Sequence, residues 1–147
     1  MPGKITFAII KPNAVARQDT GAIIKMICET GFSIAALKMI RLSVEQASCF
    51  YAVHQGKPFY DGLVRFMTSG PVIVAVFQKE DAVESFRKLI GNTDPVKADP
   101  GTIRALFGET IQSNAIHGSD CDENAVREAG FFFANSERFG KAGEFLE

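Results

Sequence analysis

Residues 71–77 read Pro-Val-Ile-Val-Ala-Val-Phe, with no polar side chain in the run. Successive side chains of a strand point to opposite faces, so this segment is apolar on both and suits the centre of a sheet. It is far too short to cross a bilayer, which takes about 20 apolar residues. Three further segments can pair with it. Residues 4–11 put Ile5, Phe7, Ile9 and Lys11 on one face and Thr6, Ala8 and Ile10 on the other, and Pro12 ends the run. Residues 33–42 are largely apolar on both faces. A short strand fits residues 115–116.

Helical spacing fills the gaps. Residues 20–31 carry Ile23, Ile24, Ile27 and Cys28 as a stripe, with Gly31 as a stop. Ser43-x-x-Gln46 has the form of a capping box, and Val44, Ala47 and Tyr51 follow at helical intervals. Residues 60–68 and 80–90 read as two more helices, the second with Val83, Phe86, Leu89 and Ile90 inward. Asp120-x-x-Glu123 reads as the cap of a last helix, with Ala125, Glu128, Ala129 and Phe132 along one side. Residues 91–113 differ: Gly91, Pro95 and Pro100-Gly101 break them up and no period persists. So long a connection in a compact domain is usually functional or disordered. Stripped of its extra helices the order is β-α-β-β-α-β. That predicts an α+β, ferredoxin-like domain: an antiparallel four-stranded sheet with helices on one face and a long loop before the last strand. At 147 residues, one domain spanning 1–147 is expected, with a polar tail at 134–147.

Charge and cysteine content narrow the function. Sixteen Lys and Arg against seventeen Asp and Glu leave a net charge of −1, unlike a generic nucleic-acid or acidic-membrane binder. Cys28, Cys49 and Cys121 cannot all pair and show no C-x-x-C spacing, so free thiols in a reducing compartment are expected. No signal-peptide pattern follows Met1-Pro2-Gly3-Lys4, and a cytoplasmic protein is expected. The common phosphate-loop and zinc motifs are absent.

Several residues could carry chemistry. His117 precedes Gly118 and the last helix, where unpaired N–H groups favour anions, and a neutral imidazole is a competent nucleophile toward phosphorus. Glu128 sits at the apolar boundary of that helix, placed to hydrogen-bond one imidazole nitrogen. Arg87 and Arg104 bracket the irregular segment, and their forks suit phosphate oxygens; Thr93 could add a hydroxyl. Lys11 points where Ile5, Phe7 and Ile9 point, so it needs an anionic partner or must snorkel. Phe59, in an irregular stretch, could stack on a base, and Asn114 could donate to a sugar hydroxyl. Each also has a plain structural reading, as core, surface or loop anchor. Tyr51 reads as core, His54 as structural or exposed, and Cys121 as an inert thiol.

Together these residues resemble one family, the nucleoside diphosphate kinases. The resemblance runs through Ile9-Ile10-Lys11-Pro12-Asn13-Ala14-Val15, Gly56-Lys57-Pro58-Phe59 and Phe66-Met67-Thr68-Ser69-Gly70-Pro71. It continues at Gly91-Asn92-Thr93-Asp94-Pro95 and Gly101-Thr102-Ile103-Arg104, and is most specific at Asn114-Ala115-Ile116-His117-Gly118-Ser119-Asp120. It implies ping-pong transfer of a γ-phosphate, mainly from ATP, to a nucleoside diphosphate. His117 would be phosphorylated on Nδ1, with Glu128 orienting the ring and Ser119 in support. Lys11 would be shared between phosphate and sugar, and Tyr51 would lie near the nucleophile. Arg87, Thr93 and Arg104 would hold phosphates, Asn114 the ribose, and Phe59 and Ile111 the base. The resemblance implies Mg²⁺ bridged by nucleotide phosphates rather than held by protein side chains. It also implies that residues 91–113 serve nucleotide binding and assembly, and that the chain forms a homo-oligomer, a homotetramer favoured over a homohexamer. Gly130 and the tail from Asn135 depart from the family pattern. A nucleotide-binding module without turnover, or a scaffold, are the competing readings; the intact set of His117, Glu128, Arg87 and Arg104 favours the enzyme.

Overall fold

The computed structural model describes residues 3–146. Met1, Pro2 and Glu147, which the expected domain span and chain start include, lie outside the described residues. Four strands form one antiparallel sheet: β1 (Ile5–Ile10), β2 (Ser33–Ile40), β3 (Val72–Gln78) and β4 (Ile116–Gly118), in the order β2-β3-β1-β4. β3 is buried from Val72 to Phe77 and paired on both sides, as its composition requires. β1 lies between β3 and β4, with Ala8 opposite both Ala75 and Gly118, and Ile9 opposite both Val74 and His117. That pairing places His117 beside the first strand, one residue-pair from its end.

The described residues also form seven α-helices: α1 (Pro12–Ala16), α2 (Thr20–Glu29), α3 (Val44–Phe50), α4 (Tyr60–Met67), α5 (Ala82–Ile90), α6 (Ile103–Phe107) and α7 (Asp122–Phe132). The four-stranded antiparallel α+β arrangement is the expected one, but helices cover both faces of the sheet rather than one. The crossover helices α2 and α5 pack with α1 and α6 over Ala8, Ile10, Ile73, Ala75 and Phe77. The added helices α3, α4 and α7 close the opposite face over Phe7, Ile9, Val72, Val74 and Val76. A sheet whose strands are apolar on both sides must be covered on both.

Other differences are local. Pro12 ends β1 but also opens α1, since proline's missing N–H and fixed φ suit the first helical position. The segment 91–113 contains α6, capped by the Thr102 hydroxyl accepting from the Ala105 N–H. The last helix begins at Asp122 with Cys121 as an unbonded N-cap, so the expected cap at Asp120 does not form. The Asp120 carboxylate instead accepts from Asn124 Nδ2 at 2.6 Å. β4 runs to Gly118, two residues beyond the expected end. Cys28 and Val44 face solvent and drop out of their stripes. The Ser43–Gln46 capping box is present with both bonds. The tail is less polar in its contacts than its composition suggests: Phe139 pairs with Phe145, its N–H donates to the Ala35 carbonyl at 2.8 Å, and Leu146 reaches the core.

Candidate active site

The site begins with a buried carboxylate. Glu128 is 5% exposed, on the face of α7 that packs against β1, where Phe132 stacks on Phe7 at 5.3 Å. A charge there is expensive unless paired. Glu128 Oε1 accepts from the Ser119 hydroxyl at 2.7 Å and from His117 Nε2 at 3.1 Å. Ser119 is itself fixed, its oxygen accepting from the Phe7 N–H at 3.2 Å. An ionised carboxylate only accepts, so Nε2 carries the ring proton and Nδ1 keeps its lone pair. Phe7, Phe50 and Tyr51 surround the ring at centroid distances of 6.2, 5.5 and 6.5 Å.

His117 opens onto a cleft of about 520 Å³. Lys11, Tyr51, Phe59, Arg87, Thr93, Arg104, Ile111 and Asn114 line the same cleft. Glu128 and Ser119 lie buried behind the imidazole. The fold therefore gathers all eleven residues singled out in the sequence around one site.

Backbone carbonyls hold the cations in place. Arg104 donates to the Gly91 carbonyl at 3.0 Å and the Ile116 carbonyl at 2.9 Å. Gly91 has φ +87°, and a Cβ there would lie 2.6 Å from the Thr102 hydroxyl, so only glycine offers its carbonyl in this way. Burial, then the neighbouring Arg87 charge, pull Arg104 down to about 10. Lys11 is 7% exposed, and among the described residues its Nζ donates only to the Gln112 carbonyl, at 3.3 Å. Burial, then Arg104, pull it down to about 7. Burial and the Glu128 charge push the Tyr51 hydroxyl up, so it stays protonated; it is buried with no partner among the described residues. Asn114 donates to the Thr93 carbonyl at 2.9 Å, leaving its own buried oxygen unpaired. Three cations lining one cleft, with the Tyr51 hydroxyl and Arg104 Nε as donors without a partner among the described residues, fit a polyanion.

The other end of the cleft is apolar and open. Phe59 and Ile111 are exposed there, and Leu63 lies beside them. His54 also lines the cleft, which the sequence reading did not anticipate. It follows Tyr51 by three residues in a 3-10 turn (Ala52–His54), and such turns bring i and i+3 together. The Tyr51 and His54 rings are 6.4 Å apart and Phe59 is 5.2 Å from His54. Among the described residues no group of three or more His, Cys, Asp or Glu side chains could hold a metal ion.

The family model described as nucleoside diphosphate kinase matches residues 4–138. Among solved structures, the chain is similar to the nucleoside diphosphate kinase of Aquifex aeolicus, with 43% identity and a TM-score of 0.90 over 92% of this chain and 98% of that one. A Halobacterium salinarum nucleoside diphosphate kinase in complex with CDP matches with 40% identity and a TM-score of 0.90, over 93% and 91%. The enzyme from Encephalitozoon cuniculi matches with 36% identity and a TM-score of 0.87, over 99% and 95%.

The Lys11 environment sets a stability test. An unfolded lysine stays protonated to its ordinary 10.5, the folded one only to about 7. Between those values the unfolded chain binds more protons, so this group's penalty is full below about pH 7 and fades as pH rises toward 10.5. Lys11→Met removes the penalty. It should stabilise the free protein by about 1–3 kcal/mol at pH 6.5 and by less at pH 10, read as Tm by thermal denaturation. An unchanged or lower Tm at pH 6.5 contradicts this.

Proposed function

The chain belongs to the nucleoside diphosphate kinase family, and from that premise we propose that its phosphotransfer runs through a phosphohistidine at His117 Nδ1. The transferase exchanges the terminal phosphate between nucleoside triphosphates and diphosphates. The observation that carries the residue assignment is the Glu128 bond to Nε2, which leaves Nδ1 as the free nitrogen on a cation-lined cleft.

In the first half-reaction the Nδ1 lone pair forms a bond to the γ-phosphorus. The bond from that phosphorus to the β–γ bridging oxygen breaks, and the nucleoside diphosphate leaves. Nε2 keeps its proton, so positive charge grows on the ring while Glu128 faces it as a fixed carboxylate. The second half-reaction reverses these steps onto the terminal phosphate oxygen of an acceptor diphosphate. Positioning and charge neutralisation carry such transfers. Lys11, Arg87 and Arg104 meet the phosphate charge, Thr93 adds a hydroxyl, and the unpaired Tyr51 hydroxyl is a donor near the nucleophile. Asn114 takes the ribose. The base lies between Phe59 and Ile111, an arrangement that tolerates any base because each has a π-face. The CDP bound to the Halobacterium relative supports a nucleotide in this cleft.

Kinases of this family work with a divalent cation, and Mg²⁺ is the ion we assign. It would enter on the nucleotide phosphates as part of the substrate and supply charge neutralisation there. We assign residues 91–113 to nucleotide binding and assembly, and propose a cytoplasmic enzyme that maintains NTP and dNTP pools. No helix among the described residues is long and apolar enough to cross a membrane.

Self-association is supported by Ile34, Leu37 and Met39, which are 41%, 44% and 59% exposed on the edge strand β2. Such a row on a sheet edge invites a partner. We favour a homotetramer over a homohexamer; a solution mass of four chains is expected and a mass of six overturns it.

The function test is a half-reaction. With Mg²⁺ and γ-labelled ATP but no acceptor, the protein should take up acid-labile label, then pass it to added GDP. His117→Ala should lose at least about 10³-fold in labelling. Tight ATP binding without label in the wild type would remove His117 as nucleophile and leave a binding module.

A further inference from the structure

The apolar end of the cleft is walled on one side by residues 107–113, and this segment has few ties of its own. It closes on itself, with the Glu109 N–H donating to the Ser113 carbonyl at 2.8 Å and the Ser113 N–H to the Thr110 hydroxyl at 3.0 Å. Ile111 and Gln112, the cleft-lining residues of the segment, stand exposed. Among the described residues, every side chain that hydrogen-bonds to it from outside comes from residues 11–17. Lys11 Nζ donates to the Gln112 carbonyl at 3.3 Å, and Asn13 Nδ2 to the Ser113 carbonyl at 3.0 Å. Arg17 pairs with Glu109 and donates to the Phe107 carbonyl at 3.2 Å.

These ties are not equivalent. Lys11 is assigned to phosphate, so its bond to Gln112 competes with the substrate. Asn13 and Arg17 do not line the cleft, and nothing in the reaction draws on them. They lie four apart, at the start and the C-cap of α1, so they present one face to the wall. Arg17 is itself fixed: Asp19 pairs with it at 3.0 Å, and the chain turns sharply after it, at Gln18 with φ +66°. The fork of one guanidinium thus ties the start of the segment, at Phe107 and Glu109, to the first helix, while Asn13 ties its end at Ser113.

We propose that Arg17 is a positioning residue of the nucleotide site, its ion pair with Glu109 holding the 107–113 wall so that Ile111 meets the base opposite Phe59. The proposal rests on the nucleotide-site assignment made above. It places a determinant of nucleotide affinity outside the cleft, in contact with neither substrate nor nucleophile. The pair is partly exposed, so its effect is modest and salt screens it.

Steady-state kinetics of the full chain test this, with Arg17→Met, Glu109→Gln, their double variant and the charge reversal Arg17→Glu with Glu109→Arg. Each single variant should raise KM for both the donor and the acceptor nucleotide about fivefold, with kcat within about twofold of wild type. The double variant should be no worse than either single one, because the two act as a unit. The reversal should regain most of the loss, and the gap between wild type and single variants should narrow in 0.5 M NaCl. An unchanged KM in the single variants overturns the proposal. So does a loss of kcat together with Tm that the reversal fails to repair, since that marks ordinary stabilisation of the fold. If Arg17→Met does not fold, Glu109→Gln and the reversal give the same decision. A wild-type protein that takes no label from ATP defeats the nucleotide-site reading itself, and is seen before any variant is compared.

Discussion

A carboxylate buried under an aromatic core governs this site. Glu128 lies where Phe7 and Phe132 stack, and an unpaired charge there would cost several kcal/mol. Its pairing dictates much of what surrounds it. Ser119 must turn inward to donate, so β4 must run alongside β1, where the Phe7 N–H fixes the same hydroxyl. His117, two residues earlier and on the same strand face, must then donate its Nε2 proton. One desolvated charge thereby sets the tautomer, the ring orientation and the free nitrogen at once. Phe7, Phe50 and Tyr51 ring the imidazole, and Phe132 packs against Phe7 and Phe50 beside the carboxylate.

The opposite charge is concentrated across the cleft. Lys11, Arg87 and Arg104 converge with no carboxylate among the cleft-lining residues. In the free protein this arrangement is strained electrostatically: burial and mutual repulsion pull Lys11 and Arg104 down. A polyanion resolves the conflict, so stability surrendered in the free chain returns as binding energy. Backbone carbonyls at Gly91 and Ile116 hold Arg104, and that of Gln112 holds Lys11, in the meantime, which keeps these two cations placed without a competing carboxylate.

Much of the site was legible because its signals are local. Glu128 falls on the apolar boundary of α7, spaced three from Ala125 and four from Phe132, so its burial follows from helical period. Lys11 shares a strand face with Phe7 and Ile9, so its inward aim follows from period two. The Ser43–Gln46 box needs only four residues to read. The features that escaped depend on tertiary contact or on signals with two meanings. Pro12 stops a strand and starts a helix equally well. α6 spans five residues, too few for a hydrophobic period. Asp120 has capping chemistry but is engaged by Asn124, and the helix starts at Asp122. The cover on both sheet faces required knowing that α3, α4 and α7 pack opposite the crossover helices. His54 enters the cleft through a 3-10 turn of three residues, too short to carry a hydrophobic period of its own.

The proposed chemistry turns on one atom, Nδ1 of His117. Histidine labelled with ¹⁵N, in a chain phosphorylated by ATP, gives that atom directly through one-bond coupling between phosphorus and nitrogen. Coupling to Nδ1 of His117 alone is expected, with Nε2 still protonated against Glu128. Coupling to Nε2 would mean the Glu128 bond breaks during transfer, and would contradict the arrangement on which the site is built.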